Sequence, residues 1–534
     1  MDDEKMRKED WKMSYHSKRT YHTQLFAPHL FVKMNLYKSL PFISGLIAAI
    51  LPIITVGAEK PNILIIYADD LGYGDFSAQN PESKIPTPNL DRLAEGGIRF
   101  TDAHSSSGIC TPSRYALLTG RYHWRQGHGI VGSHQGPWFD EGRFTLADML
   151  KEQGYHTACI GKWHLGWDWQ AIRNPDADRL APDGHDWSKP IPGGPLERGF
   201  DYYFGDDVPN FPPYAWIEND RILTAPSVPF TPIPEPQPGD EGGERMQGHD
   251  CRPGAMVEGW RLDAVPPRLA ERAVEWIAEQ KDSDRPFFLY WSWNGPHTPI
   301  VPLPEFQGKT DAGPYGDFVF QHDHDLGRVL DALEEHGFAE NTLVIFTSDN
   351  GPEDIAYARI RNHGHKSSGP LRGVKRDIWE GGHRVPFVVR WPAAIEGGQV
   401  NDGLVGQIDI MATLAAVTGA ELPPGAADDS YDLLPMWTRG EPGPRTTMVH
   451  NTGPRGFALR HDGWLLIDAP TGGVSRVPGW FDEKFGYQPN PHPGELYHLA
   501  EDLAQKNNLW ADHPERVENM RKILGEIRRS GQVR

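Results

Sequence analysis

Cysteine is scarce in this chain of 534 residues, which contains only Cys110, Cys159 and Cys251. Three such widely separated residues form no disulfide framework, and no two have the spacing of a structural metal site. One bridge from Cys251 to Cys110 or Cys159 is the most they allow. Basic charge is short as well: 53 Lys and Arg face 73 Asp and Glu, a net charge of −20. That balance excludes a nucleic-acid partner, which needs a basic footprint. Any anionic ligand must therefore be met by a local cluster of Arg, Lys and His. Long apolar runs are missing too. The run from Phe42 to Val56 is short for a bilayer crossing, follows Pro41 and contains Pro52, so no stable membrane span is expected.

That short run has another reading. Met34-Asn-Leu-Tyr-Lys38 before it and Val56-Gly57-Ala58 at its end supply the charged start and small-residue cleavage site of a signal peptide. Residues 34–58 are thus expected to direct export to the periplasm or outside the cell. Residues 1–33 are read as an extension ahead of the true start at Met34, and the mature chain begins near Glu59.

From there the chain is long enough for a large core, and 57 Gly and 48 Pro imply many turns around it. Asn62–Ala68 is apolar without alternation, as in a strand buried on both faces, and Phe287–Trp293, Leu343–Thr347 and Val385–Trp391 repeat the pattern. Helical periodicity lies between them at Asn89–Glu95, Leu146–Gln153, Leu269–Gln280 and Asp325–His336. The fold class is α/β: a large, mostly parallel sheet sandwiched by helices over residues 59–443. Residues 167–260 show no sustained periodicity and read as a long loop insertion near the site. After Pro444 short alternating strands and a closing helix at Arg516–Arg529 predict a C-terminal subdomain, 444–534, of antiparallel sheet plus helix.

The chemistry-bearing residues collect at strand ends. Asp69-Asp70 closes the first strand and Asp349-Asn350 follows another, the edge where open α/β sheets place ligands. Three carboxylates and an amide are oxygen donors, suited to a hard divalent cation and not to zinc. Cys110-Thr-Pro-Ser-Arg114 runs on to Thr119-Gly-Arg121. Gly161-Lys162-Trp-His164 follows a short strand, Asn294-Gly-Pro-His297 follows another, and Lys375 precedes Glu380-Gly-Gly-His383.

In that order these motifs resemble the type I sulfatases of the alkaline phosphatase superfamily, from about Lys60 to the C-terminal helix. The resemblance implies an alkaline phosphatase-like fold. It implies that Cys110 is oxidised by a formylglycine-generating maturation enzyme to an aldehyde, whose hydrate attacks sulfur. It implies metal ligands at Asp69, Asp70, Asp349, Asn350 and the modified Cys110, with Ca2+ expected before Mg2+. Arg114, Lys162, His164, His297 and Lys375 match positions lining the sulfate pocket. His164 is expected to act as the base that expels sulfate, and His297 with Lys375 as the donor to the leaving oxygen. The insertion resembles that of bacterial glycan sulfatases, so a sulfated carbohydrate is the expected substrate. Candidate contacts to it are Asp207, Asn210, Trp216, His365 and His383.

Two rival readings remain at this point. One is a phosphonate monoester or phosphodiester hydrolase using the same modified cysteine. The other is an inactive carbohydrate-binding relative, which should have lost Cys110, Lys162 or a metal Asp; none is lost.

Overall fold

The computed structural model describes residues 59–232, 250–454 and 456–530. The expected extension and signal segment, 1–58, lie outside the described residues. The chain from Ala58 to Arg534 forms one compact unit.

Among the described residues its main sheet has ten strands: β1 (Asn62–Asp69), β2 (Ile98–Phe100), β3 (His156–Gly161), β4 (Tyr202–Gly205), β5 (Ile217–Glu218), β6 (Arg221–Ile222), β7 (Phe287–Pro296), β8 (Thr342–Ser348), β9 (Phe387–Arg390) and β10 (Gln399–Asn401). They lie in the order β10-β2-β9-β8-β1-β7-β3-β4-β5-β6. The central block β8-β1-β7-β3-β4 is parallel. β9 turns antiparallel on one side and β5 and β6 on the other. β1 shows why the run is unbroken by polar residues. Ile63, Ile65 and Tyr67 enter one hydrophobic cluster, and Leu64, Ile66 and Ala68 enter another on the opposite face. A strand covered on both faces needs apolar residues at both parities.

Helices α1 (Pro88–Glu95), α4 (Val265–Glu279) and α5 (Gly313–Glu335) contribute to the second of those clusters. α2 (Cys110–Thr119) and α3 (Leu146–Glu152) contribute to the first. Helix α5 begins at Gly313, well before the expected Asp325. Its first half carries buried polar residues that break the apolar period. Asp317 accepts from the backbone of Gly308, Lys309 and Thr310, and Asp323 from that of Asn89 and Leu90.

Two further expectations are corrected. All three cysteines are free, so no bridge to Cys251 exists. The 167–260 stretch is also not wholly loop, because β4, β5 and β6 within it extend the main sheet. These strands are too short for a period to register. Toward the C-terminus Thr447–Gly453, Gly456–His461, Trp464–Ile467 and Glu495–His498 form a four-stranded antiparallel sheet, and Pro514–Ser530 is the closing helix. Among the described residues no helix is long and apolar enough to cross a membrane.

Candidate active site

Parallel strands all end at one edge, so residues far apart in sequence converge there. Asp69 is the last residue of β1, and Asp349 follows β8 directly. The Asp349 N–H donates to the Ala68 carbonyl at 3.0 Å, and the Asp70 N–H donates to Asp349 Oδ1 at 3.1 Å. Asp70 adopts a left-handed φ of 66°, which turns the chain out of the sheet at this point.

Cys110 is the first residue of α2, where the helix N-terminus favours negative charge. Its Sγ lies 3.5 Å from Asp69 Oδ1. Lys162 follows β3 and places Nζ 2.6 Å from Asp69 Oδ2. Gly161 makes that turn possible: a Cβ there, at φ 110°, would stand 1.8 Å from the Ser292 carbonyl oxygen. Lys375 Nζ lies 2.7 Å from Asp70 Oδ1 and 3.6 Å from Glu353. His297 Nε2 lies 3.9 Å from Asp70 Oδ2.

Asp69, Asp70 and Asp349 thus face Arg114, Lys162 and Lys375, all of them buried. Burial raises the Asp69 carboxyl, but Lys162, His297 and Arg114 outweigh it and hold the group well below the usual carboxylate range. Asp349 goes the other way, to about 7, through burial and then the charge of Asp69. Burial and the Asp349 charge push the Cys110 thiol well above its ordinary value. Three carboxyl groups converging here, with the Asp69 charge disfavouring ionisation of Asp349, fit a bound cation that would offset their repulsion. Asn350 adds to the fit: its Nδ2 donates to Asp70 Oδ1 at 2.7 Å, while its Oδ1 is buried without a hydrogen-bond partner. Asp69, Asp70, Cys110 and His297 each bring a ligand atom within 4.8 Å of the others.

The histidines differ in tautomer. His164 Nε2 lies 2.9 Å from the Val131 carbonyl, so it carries the proton and donates, and Nδ1 is left without a partner. His297 Nδ1 lies 2.6 Å from the Thr298 carbonyl, which leaves Nε2 toward Asp70. Burial lowers both pKa values, with Lys162 adding to the effect at His164 and Lys375 at His297.

A cavity of about 830 Å3 opens above the cluster. His164, His297 and Lys375 line it, Ile109 places Cys110 at its margin, and Asn210 with Phe211 forms part of a wall. Arg114 does not line it. Its guanidinium is fully buried, donating to Asp349 Oδ2 at 2.8 Å and to the Lys162 carbonyl at 3.1 Å, so it braces the cluster from behind. Four of the five candidate substrate contacts also turn away. Asp207 is buried and accepts from the His164 N–H at 3.2 Å. Trp216 stacks on Phe204 and packs against Trp260 at the sheet edge. His365 is buried against Asp75 at 2.7 Å, and His383 is buried among other histidines. Only Asn210 lines the cavity.

The sequence reading missed other lining residues. Asp250, Arg252, Glu353 and Arg376 line the cavity as well, and Thr452 comes from the C-terminal sheet. The Arg252 guanidinium lies 5.6 Å over the Phe211 ring and donates to the Asp250 carbonyl at 2.9 Å. Arg376 and Glu353 form a paired contact at 2.5 and 2.8 Å. Arg376 directly follows Lys375 in its motif, but no motif marks the others; only tertiary packing gathers them.

The model of the sulfatase family matches residues 61–420. Over 509 residues the chain is 35% identical to an N-acetylgalactosamine-6-O-sulfatase of Bacteroides thetaiotaomicron, covering 88% of this chain and 94% of the relative. It is 35% identical over 402 residues to human arylsulfatase A, covering 73% of this chain and 70% of that one. A solved structure from B. thetaiotaomicron, described under the metabolism of multiple glycosaminoglycans, superposes with a TM-score of 0.73 at 32% identity. That match covers 88% of this chain and 99% of the other.

Proposed function

The chain belongs to the sulfatase family and is a sulfuric ester hydrolase, and from that premise we propose that it removes sulfate from amino sugars of a glycosaminoglycan-like glycan, working at Cys110 after its conversion to formylglycine. The observation that carries this reading is the convergence of Cys110, three carboxylates and two lysines beneath a cavity wide enough for a sugar. The shared identity with an N-acetylgalactosamine-6-O-sulfatase points to a 6-O-sulfated N-acetylhexosamine.

Asp69, Asp70, Asp349 and Asn350, with the modified Cys110, would hold the ion, and so many protein oxygen donors favour calcium over magnesium, which keeps several waters and takes few carboxylates. When bound, a divalent ion draws charge from a sulfuryl oxygen. Once formed, the aldehyde hydrate at Cys110 would supply two geminal hydroxyls, one as nucleophile toward sulfur and a second whose deprotonation would release the sulfate. The buried, neutral thiol of unmodified Cys110 is a weak nucleophile by comparison, which favours the modified residue.

The remaining work falls to the chain's own side chains. Lys162 and Lys375 offset the charge that gathers on the sulfuryl oxygens. Arg114 fixes Asp349. His164 Nδ1, unpartnered and neutral, takes the proton from the second hydroxyl. With Nδ1 donating to Thr298, His297 gives a proton from Nε2 only as the imidazolium, which Asp69 and Asp70 favour; it passes that proton to the departing sugar oxygen as the bond to sulfur breaks and is left neutral. Residues 34–58 direct export to the periplasm or beyond, and a formylglycine-generating enzyme matures Cys110.

The test is sulfate release from a panel of sulfated mono- and oligosaccharides, together with peptide mass spectrometry at position 110. A 6-O-sulfated N-acetylhexosamine is expected to be the best substrate, and Cys110 to have lost its thiol. Faster hydrolysis of phosphonate monoesters, or full activity with an intact thiol, would overturn the proposal.

A further inference from the structure

A second set of buried ionisable groups lies outside the pocket. His104 ends the short strand Ala103–His104, His383 ends the helix Glu380–His383, and His450 lies in the strand Thr447–Gly453. All three are buried, at 0%, 1% and 0% exposure. One nitrogen from each lies within 4.8 Å of the others.

His104 Nε2 lies 2.8 Å from Asp102 Oδ1, and only a donor is stable that close to a carboxylate. His383 Nε2 lies 3.2 Å from the Ile378 carbonyl and donates to it. Each ring's proton is then on Nε2, yet the two Nδ1 atoms face each other at 3.0 Å. Two lone pairs at that distance repel unless a cation lies between them. The opposite tautomer of His104 would set a lone pair against Asp102 and is worse. Arg460 Nη1 also lies 3.2 Å from His104 Nε2, but Arg460 is held by Asp102 and Glu380. A protonated ring is opposed by burial, which lowers His104 and takes His383 to about 3.

His450 completes the set. Neither of its ring nitrogens makes a well-formed hydrogen bond, the Ser105 backbone acting on the ring only weakly. The ring stacks on His383 at 3.7 Å and lies 4.9 Å from His104. A nitrogen of this ring already lies within 4.8 Å of a nitrogen of each other ring, and shared ligation requires the ring to leave its stack on His383.

We infer that His104, His383 and His450 form a site for a first-row transition ion such as zinc, distinct from the oxygen-donor cluster beneath the pocket. Neutral imidazole suits zinc, copper and nickel and not calcium or magnesium. The outer partners are those of a metal site, with a carboxylate on His104 and a backbone carbonyl on His383 orienting the ligands. Asp102 and Glu380 are balanced by Arg384 and Arg460, so the imidazoles themselves are the available donors.

Such an ion would be structural, and its place explains what it ties. The Ser105 N–H donates to the His383 carbonyl at 2.9 Å, on the segment leading to Cys110. The Gly351 N–H donates to the Gly382 carbonyl at 2.9 Å, next to Asn350. A Cβ on Gly351 would stand 1.9 Å from the Gly381 carbonyl oxygen, so these segments are in direct contact.

The experiment uses the full chain without a histidine tag, incubated with zinc, dialysed, and analysed for zinc and calcium. Cobalt(II) replaces zinc in a parallel sample for visible absorption. About one zinc per chain is expected, absent from His104→Gln and His383→Ala while calcium content stays unchanged. Cobalt should show intense visible bands in the unmutated protein, a readout that does not depend on a variant folding. A wild-type chain that keeps no zinc and gives no cobalt bands would overturn the inference. So would zinc retained in full by both folded variants.

Discussion

The cluster beneath the pocket and the histidine cluster beside it are built by one electrostatic rule and differ in access. In the first, Asp69, Asp70 and Asp349 are matched by Arg114, Lys162 and Lys375. In the second, Asp102 and Glu380 are matched by Arg384 and Arg460 around neutral imidazoles. In neither does burial leave an acid without a base. The first borders a cavity through His164, His297 and Lys375, whereas no histidine or acid of the second reaches that cavity. Charge balance therefore keeps both in the fold, and only exposure to substrate separates chemistry from support.

Cys110→Ala breaks the first cluster at its proposed nucleophile. Turnover should fall by more than about a thousandfold if the proposed covalent route runs through this residue. The urea midpoint should move little. An equal loss of stability would blur the distinction between the clusters.

His297→Ala sharpens the division of labour inside the first cluster. Sugar sulfates, whose alkoxide leaves poorly, should slow by about a hundred- to ten-thousandfold. Activated aryl sulfates should suffer far less, and His164→Ala should instead give a burst as sulfate release slows. Equal losses on both substrates without a burst would reassign the two histidines.

Glu380→Ala tests the second cluster. It leaves Arg384 and Arg460 short of a partner, so unfolding free energy should drop by about 3–5 kcal/mol. The folded fraction should keep far more activity than Cys110→Ala. pH acts on the same cluster. Burial holds the His383 pKa down to about 3, so only the unfolded chain takes up that proton as pH falls below about 6.5. Stability is therefore lost from about pH 6.5 down to about 3, by up to about 1.4 kcal/mol per pH unit for this group. Burial raises Glu380, but Arg460 and His104 outweigh it and bring it to about 2. Its stabilisation is present above the unfolded value and disappears between about pH 4.3 and 2. Urea midpoints measured in chelator from pH 7.5 to 4 check the sign, and His383→Gln should flatten the slope.

The smallest effect separates pocket wall from sheet edge. Asn210→Ala should raise KM for the glycan with little change in stability. Trp216→Ala should cost stability through its lost stacking on Phe204 and leave KM alone. A rise in KM for Trp216→Ala would return it to the substrate wall.

Much of this was legible in the residues and some was not, for identifiable reasons. β1, β7 and β8 stood out because strands covered on both faces cannot hide polar residues. Asp69, Asp70, Asp349 and Asn350 followed, since parallel strands share one end. Helix α5 was half legible because Asp317 and Asp323 are buried yet satisfied by backbone N–H groups. His365 and His383 were expected at the substrate, but a histidine's place in a motif does not reveal which way its ring turns. Asp75 holds His365 inward, and the Ile378 carbonyl accepts from His383 and turns its ring away from the pocket.

By itself the amino-acid order determined the α/β architecture, the sulfatase kinship and the identity of the strand-end acids. Hydrophobic runs and motif spacing are local, and they survive in one dimension. The tertiary structure alone decided that Arg114 stands behind Asp349, that Asp250, Arg252 and Thr452 help form the cavity, and that His104, His383 and His450 meet. Those facts depend on where distant segments cross and which way buried side chains turn. Packing of the whole unit sets both, because each buried charge must find its partner wherever the chain brings one.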